Sequence, residues 1–213
     1  MGSRKQQSKR LGRPPSAESS QTRRRITETA RHLFSEQGFE VTTNKMLAAK
    51  AGITTGALYH YFDSKEAIYL AVYDEVQETV YGRFGTVESE TDTFKTRFKA
   101  MLEVAYQLNL EDPSLARLIG AVRVDERRDP VLASLMEASH SSREGGFFQR
   151  LVELGVQTGE VDPANRALVA ALLQIILIGL TDAVSDDPVQ HRLAIDAIQS
   201  LLDGKLFPRP ARP

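Results

Sequence analysis

The sequence predicts an all-α protein in which an N-terminal three-helix unit with a helix-turn-helix precedes a larger helical domain. Apolar residues recur three and four positions apart along most of the 213-residue chain, which is the spacing of one helix face. No run of alternating apolar and polar residues is long enough for a sheet. We expect a flexible basic arm over residues 1–19, the helix-turn-helix unit over 20–66, the second domain over 67–207 and a frayed tail over 208–213.

The first two helices are predicted from the residues at their ends. Ser20 fits the N-cap of the first helix, and Gly38 fits the left-handed residue that commonly ends such a helix. Thr43 can cap a short second helix that ends at Gly52.

The next two helices follow after equally short connections. Thr54 can cap a third helix that runs to about Tyr61. Asp63 begins the fourth, and Glu66, three residues later, is its expected capping partner. The apolar pattern then continues toward Arg83.

The rest of the chain predicts five further helices, four of which begin at a proline. Proline is favoured in the first turn of a helix, because its missing N–H would be unpaired there in any case. These helices are expected to begin at Phe94, Pro113, Pro130, Pro163 and Pro188, with the fourth of them spanning 163–184 and the last ending near Leu206.

Composition excludes several functional classes. The chain has no cysteine, which rules out thiol catalysis and cysteine-bound zinc, and its four histidines lie far apart. No nucleophile–base pair is recognisable, so we predict no catalytic residue, no metal site and no cofactor. The longest apolar run, residues 167–180, is short for a membrane span and is broken by Gln174. With a polar N-terminus unlike a signal peptide, this predicts a cytoplasmic protein with no membrane partner.

The net charge of −1 conceals an asymmetry along the chain. Residues 1–66 carry 12 Lys+Arg and 6 Asp+Glu, whereas residues 67–213 carry 15 and 22. Within the first 25 residues, eight basic side chains accompany a single acidic one, Glu18. A basic run alone is more typical of a solvated tail, but a basic first third joined to an acidic remainder indicates that one end meets a polyanion.

Residues 42–65 have the organisation of a unit that reads DNA. Two short helices flank Ala51-Gly52-Ile53, and Gly52 supplies the positive φ of the turn. The second helix opens with small residues from Thr54 to Ala57, which lets its backbone approach base edges in the major groove. Threonine and alanine methyl groups suit thymine methyl groups, and threonine hydroxyls suit base or phosphate acceptors.

Polar side chains beside this helix can reach phosphates. Tyr59, His60 and Tyr61 can donate hydrogen bonds to phosphates on either side, although both tyrosines could instead be core aromatics. Lys65 lies at the start of the fourth helix, where its ammonium and the free backbone N–H groups both suit a phosphate.

Residues 26–70 contain a set of short motifs that are informative only when taken together. The set comprises Ala30, Leu33-Phe34, Gly38-Phe39, Thr42-Thr43, Leu47-Ala48, Ala51-Gly52-Ile53, Gly56, Leu58-Tyr59, Tyr61-Phe62 and Ser64-Lys65-Glu66. The pattern resembles the N-terminal domain of the TetR family of bacterial transcription repressors and covers about a fifth of the chain. The resemblance implies nine or so helices, a homodimer, operator binding by the first three helices and a small-molecule inducer in the C-terminal part. Asn44 and Met46, both on the supporting helix, depart from the family pattern, which concerns the outer contacts of that helix more than the fold.

The arm adds a smaller feature. Residues 9–14 resemble the Arg-Gly-Arg-Pro core of an AT-hook, with Leu11 in place of the first arginine, and such a segment can lay Arg13 in a narrow minor groove. The alternative is a screened tail that adds nonspecific affinity. The full set of candidate DNA-binding residues is Arg13, Thr43, Lys45, Thr54, Thr55, Gly56, Ala57, Tyr59, His60, Tyr61 and Lys65.

The helix over 163–184 predicts an interface between two copies of the chain. It is apolar on nearly every face, and such a helix must be covered on every face. Together with the last helix it would form a four-helix interface about a two-fold axis, which predicts a homodimer through the last two helices. A monomer with a deep core is the alternative.

Other apolar residues fall on helix faces that could line a ligand cavity, although each could also be plain core. Their aromatic and methionine content indicates a mainly apolar ligand of unknown identity. The candidate ligand-binding residues are Phe98, Met101, Leu102, Tyr106, Leu118, Val122, Phe147, Phe148, Leu151, Gln174 and Ile178.

These features predict a transcription regulator, most simply a repressor that a small-molecule inducer releases from a palindromic double-stranded DNA operator. Ligand binding would tilt the fourth helix and so change the spacing of the two DNA-binding heads. A small helical enzyme is the alternative from another class, but it needs a catalytic cluster that the sequence does not offer. An architectural DNA binder would differ from the regulator by lacking a pocket.

Overall fold

The computed structural model describes residues 17–87, 93–183 and 186–207, and for residues 138–145 it describes the backbone alone. These residues form helices and no strand, which confirms the all-α prediction. The helices are α1 (Ala17–Val41), α2 (Asn44–Lys50), α3 (Thr55–Leu58), α4 (Lys65–Gly85), α5 (Phe94–Glu111), α6 (Pro113–Arg128), α7 (Pro130–Gln157), α8 (Arg166–Ile178) and α9 (Pro188–Leu202). A 3₁₀ turn (Pro163–Asn165) precedes α8, and a π turn (Gly179–Ala183) follows it.

Three helices begin with the same Asp-Pro pair. The side chains of Asp112, Asp129 and Asp187 accept hydrogen bonds from the backbone N–H groups two residues later, at the starts of α6, α7 and α9. The proline that follows each aspartate occupies the first helical position, where no backbone donor is needed. Each aspartate therefore satisfies a free N–H group and places a negative charge at the positive end of the helix.

Several predicted helix ends need correction. α1 already includes Ala17, so residues 17–19, predicted as part of the arm, are helical and Ser20 is not the N-cap. The N-cap of α4 is Ser64, whose side chain accepts from the N–H of Ala67, rather than Asp63 paired with Glu66. Serine is a favoured N-cap residue, because its short side chain lets the hydroxyl accept from the free N–H three residues later.

Buried apolar residues form two clusters. The first cluster joins α1, α2 and α3 to α4, α6 and the start of α7, with Phe34, Leu58, Tyr69, Leu118 and Leu132 among its members. The second cluster lies between α4, α5, α7, α8 and α9. The predicted boundary at residue 66 falls at the start of α4, so the first cluster runs across it. The helix-turn-helix therefore shares its core with the second domain.

The outer faces of α8 and α9 carry an apolar stripe that no other described element covers. Its members are Leu168, Leu172, Ile175, Ile178, Val189, Leu193 and Leu201, each more than a third exposed. The stretch Pro163–Ala183 is long and apolar enough to cross a membrane by length and composition, and only 17% of its apolar window is buried. An exposed apolar surface of this kind marks a contact with something outside the single chain.

Candidate DNA-binding site and its junction with the second domain

The helix-turn-helix is built from local hydrogen bonds and a shared apolar wedge. Gly52 has φ 68°, the left-handed conformation that the turn between α2 and α3 requires. Thr43 and Thr54 cap the two helices, their side chains accepting from the N–H groups of Met46 and Ala57. Both threonine hydroxyls therefore have a structural partner, which does not prevent a further contact to a phosphate.

The start of α3 faces solvent rather than the core. Of the predicted DNA-binding residues, Thr43, Lys45, Thr54, Thr55, Gly56 and His60 are exposed, and Ala57 is half-buried. Leu58 is buried in the first cluster and anchors the opposite face of the helix. The helix thus presents a small, polar and accessible edge of the size that enters a major groove.

Tyr59 is held at this surface by a residue that sequence analysis did not include in the site. The tyrosine is 51% exposed, and its hydroxyl accepts a hydrogen bond from Nδ2 of Asn44 at 2.9 Å. Because the amide uses the oxygen as an acceptor, the phenolic hydrogen stays free to donate outward. The departure of Asn44 from the family pattern is the signal that could have identified this contact.

Lys65 is engaged inside the protein. Its Nζ donates to the backbone carbonyls of Phe39 at 2.7 Å and Thr42 at 2.9 Å, with a longer contact to Glu40 at 3.5 Å, and lies 4.0 Å from the centre of the Phe39 ring. Burial lowers the pKa of this lysine, although nearby acidic groups oppose the shift. The ammonium closes the carbonyl end of α1. This geometry favours a structural role over the predicted phosphate contact.

Of the two remaining predicted residues, the structure describes Tyr61 but not Arg13. Tyr61 is half-buried and packs against the first cluster, and its carbonyl accepts from Nη1 of Arg23 at 2.9 Å. Arg23 also lies 4.0 Å over the Phe62 ring, so it fixes α1 to the end of the helix-turn-helix. Arg13 lies outside the described residues.

A buried carboxylate joins the DNA-binding unit to the second domain. Asp125 on α6 is 7% exposed, and its Oδ2 accepts from the backbone N–H of Phe39 at 2.9 Å and from the hydroxyl of Tyr69 at 2.7 Å. Burial and the bond to Asp125 raise the pKa of Tyr69 far above its usual range, so the hydroxyl stays a donor. Gly38 makes room for this contact: it has φ 79°, and a Cβ there would lie 3.2 Å from Asp125 Oδ1.

α6 also contacts the π turn after α8. The Arg123 guanidinium donates to Thr181 and Asp182, and a Cβ added to Gly120 would lie 2.9 Å from Oδ1 of Asp182. One helix therefore touches the DNA-binding unit through Asp125 and the α8 region through Arg123. A displacement of α6 would therefore change the contacts of both Asp125 and Arg123.

The predicted ligand-binding residues divide among several places. Phe98, Met101, Leu102 and Phe148 line an apolar cavity of about 30 Å³ between α4, α5, α7 and α8. Phe147 and Leu151 are buried in the second cluster, Leu118 and Val122 in the first, and Tyr106 is half-buried beside His191. Gln174 and Ile178 are exposed, because they lie on the outward face of α8, and their predicted place in a cavity is wrong for the single chain.

A second, adjoining cavity of about 60 Å³ includes polar residues that sequence analysis missed. It is lined by Val80, Phe84, Ala105, Leu108, Asn109, Leu115, Ala116, Ile119, Leu177, Leu180, Thr181 and His191. Asn109 and His191 are separated by 82 positions and meet only in the fold, with Asn109 Nδ2 3.0 Å from His191 Nδ1. Burial, and secondarily the charge of Arg192, lower the pKa of His191.

This histidine should make the protein less stable in mild acid. Its pKa is lower in the folded than in the unfolded chain, so the unfolded chain binds the extra proton first as pH falls below about 6.5. We expect the free energy of unfolding, measured with urea between pH 5 and 8, to fall across this window by up to about 1.4 kcal/mol per pH unit. His191→Phe should flatten that slope, whereas an unchanged slope would contradict the assignment.

Comparison with known sequences supports the geometry of the N-terminal unit. A profile of bacterial regulatory proteins of the tetR family matches residues 26–72, which are the helix-turn-helix with most of α1 and the start of α4. Over 191 residues the chain is 28% identical to the HTH-type transcriptional regulator UidR of Escherichia coli (strain K12), covering 89% of this chain and 95% of UidR.

Solved structures share most of the fold. GusR of Salmonella enterica aligns with a TM-score of 0.71 at 24% identity, covering 89% of this chain and 97% of GusR. FadR of Bacillus subtilis, solved in complex with stearoyl-CoA, aligns with a TM-score of 0.71 at 18% identity, covering 86% of this chain and 99% of FadR. Both the N-terminal unit and the second domain therefore have counterparts in known structures.

Proposed function

Because the chain belongs to the TetR family of bacterial regulatory proteins, we propose that it is a cytoplasmic homodimeric repressor that a mainly apolar small molecule releases from a palindromic operator. The family assignment confirms that the chain is a DNA-binding transcriptional regulator and not an enzyme. The sense of regulation, the ligand and the individual contact residues belong to the proposal.

The observation that carries the proposal is the exposed start of α3. Thr54, Thr55 and Gly56 are exposed while Leu58 is buried, so the helix is anchored on one side and open on the other. We assign base contacts to the open edge and phosphate contacts to Thr43, Lys45, Tyr59 and His60. Arg13 remains our candidate for the minor groove.

The apolar character of the ligand follows from the two cavities. Their walls are almost entirely apolar side chains from α4, α5, α6 and α8. FadR, which shares the fold, is solved with stearoyl-CoA, a molecule with a long apolar chain. The proposed DNA-binding unit (20–66) and the ligand-binding and dimerisation domain (67–207) share the first cluster, which gives a change in the cavities a route to α1 and α4.

A second copy of the chain is the proposed cover for the stripe on α8 and α9. Two helices from each subunit would bury the exposed leucines and isoleucines around a two-fold axis. The same axis would place two α3 helices to face successive major grooves on one side of a palindrome. A dimer therefore accounts for the stripe and for DNA reading together, whereas a membrane would account for the stripe alone.

Thr55→Ala tests DNA reading directly. Thr55 caps no helix, so its removal should leave the fold intact and remove about one hydrogen bond, worth about 1 kcal/mol or about fivefold in affinity, for each half-site. Binding is measured by fluorescence anisotropy with the intergenic DNA upstream of the coding sequence. Thr158→Ala, an exposed threonine directly after α7 and 92 positions beyond the end of this unit, is the matched control and should bind as the parent does.

The same fragment supplies the decisive comparison. The parent protein should bind it at least about 10³-fold more tightly than a random duplex of equal length, at one salt concentration. Fused to a reporter gene, the fragment should be more active in cells that lack the protein. Equal affinity for the two duplexes would refute specific operator binding, and lower reporter activity without the protein would make it an activator.

A further inference from the structure

The two apolar cavities are adjacent and share one wall. Phe84, Ala105, Leu177 and Leu180 line both of them, so these side chains form the partition. One cavity is wholly apolar and includes Phe98 and Met101, whereas the other includes the polar residues Asn109, Thr181 and His191. If the partition moved aside, the joined cavity would be apolar along its length and polar at one end.

At the polar end, the Nε2 atom of His191 has no hydrogen-bond partner among the described residues. His191 is 2% exposed, and its Nε2 is buried without a hydrogen bond. The Thr181 hydroxyl, by contrast, is occupied, because it donates to the carbonyl of Leu177 at 2.9 Å and accepts from Arg123. A buried polar group without a partner costs about as much as a lost hydrogen bond, so this position calls for a partner.

The neighbours of His191 determine what that partner must be. The Asn109 amide donates to Nδ1, so the ring hydrogen of the neutral imidazole lies on Nε2 of a residue that lines the cavity. The Tyr106 ring lies edge-on at 5.6 Å between centres, and the adjacent Arg192 is paired with Glu103 and Asp196. The site therefore offers a neutral N–H donor in an apolar space.

We propose that this cavity binds an apolar molecule that carries one hydrogen-bond acceptor, a carbonyl or ether oxygen, with the acceptor on His191 Nε2 and the apolar body directed toward Phe98 and Met101. The inference rests on the proposed function, since it names the chemistry of the inducer. A ligand that is only apolar would leave the Nε2 donor buried and unpaired, which is the penalty that selects against it.

Binding in this position would act on the regulatory path already described. The cavities hold about 60 and 30 Å³, far less than the few hundred Å³ of a typical ligand pocket, so the partition must move to admit a ligand. Leu180 lies in the π turn, next to Thr181 and Asp182, which contact Arg123 of α6. A ligand that displaces Leu180 would therefore shift α6, the helix whose Asp125 binds the N–H of Phe39.

The test uses methyl ketones as probes, because they carry one acceptor and no donor. With ¹⁵N-histidine-labelled dimer, imidazole ¹H–¹⁵N correlation spectra should show His191 as the neutral Nε2–H form and should show its Hε2 signal move downfield on addition of 2-octanone. Dissociation constants should fall by about fourfold per CH₂ from 2-butanone through 2-hexanone to 2-octanone, because each added CH₂ is buried in the apolar body of the cavity.

Two variants separate the histidine from general effects. His191→Phe keeps a ring and removes the donor, so it should raise the dissociation constant for 2-octanone by about fivefold. His32→Phe on α1 should bind 2-octanone as the parent protein does. If 2-octanone leaves the Hε2 signal unmoved, Nε2 is satisfied by a trapped water only and the inference is overturned. The spectra of the parent protein decide this even if His191→Phe does not fold.

Failure of the inference is distinguishable from failure of the proposed function. Binding of the upstream fragment by the unliganded protein tests the regulator without reference to His191. Specific DNA binding with no response of His191 to any of the ketones would refute the ligand chemistry and leave the regulator standing. A response of His191 with no specific DNA binding would refute operator recognition instead.

Discussion

Asp125→Ala should lower the free energy of unfolding by about 2–6 kcal/mol, measured by urea denaturation at pH 7. The carboxylate is the acceptor for two donors, the Phe39 N–H and the Tyr69 hydroxyl, and both contacts are buried. Removing the carboxylate leaves both donors without an acceptor, and each buried donor without a partner costs about 1–3 kcal/mol of stability. The loss should be accompanied by weaker DNA binding, because Phe39 lies near the end of α1, shortly before α2 begins.

A graded series makes the interpretation specific. Tyr69→Phe removes one of the two hydrogen bonds and keeps the other, so it should cost less than Asp125→Ala. Glu137→Ala, an exposed carboxylate on α7, should change stability by less than about 0.5 kcal/mol. Equal stabilities for Asp125→Ala and the parent would contradict the assignment, because they would mean that these two buried hydrogen bonds do not stabilise the fold.

The helix-turn-helix could be predicted from the sequence because its determinants are local. Thr43 and Thr54 cap helices through N–H groups three residues away, and Gly52 sets the turn by its own φ. Such bonds depend on the identity of residues within one turn, which the sequence displays directly. The exposed start of α3 follows from the same short stretch.

The contacts that position this unit could not be predicted, because their partners lie far away in sequence. Lys65 reaches carbonyls 23 to 26 positions earlier, and Asp125 accepts from an N–H 86 positions earlier. A lysine at a helix N-terminus suits a phosphate by every local criterion, and only the fold places the end of α1 within its reach. The same applies to the meeting of Asn109 with His191.

The ligand-binding residues illustrate a third case, in which periodicity identifies a face but not its neighbour. α8 is apolar all round, so Gln174 and Ile178 could be assigned to either side of it. The structure turns them outward together with Leu172 and Ile175, toward a surface that one chain leaves open. Sequence periodicity cannot distinguish a core shared within one chain from a core shared between two.

Ile175→Glu combined with Leu172→Glu should convert the protein to a monomer. Ile175 is 66% exposed at the middle of the stripe on α8, and burying two carboxylates there against a second copy would leave charges without partners. Sedimentation velocity at micromolar concentration, without detergent, should show the parent as a dimer of 23.7 kDa chains and the variant as a single chain.

Loss of the dimer should remove most of the DNA affinity while each DNA-binding unit stays folded. Two linked units gain about 10²–10⁴-fold over one through their shared attachment, and the variant should lose about that factor on the upstream fragment. Val131→Glu, a 70% exposed valine on α7 outside the stripe, should remain a dimer and bind normally. A parent protein that is monomeric without detergent but enters lipid vesicles would overturn the dimer and assign the stripe to a membrane, because a two-fold partner and a bilayer cannot both cover the same face of α8.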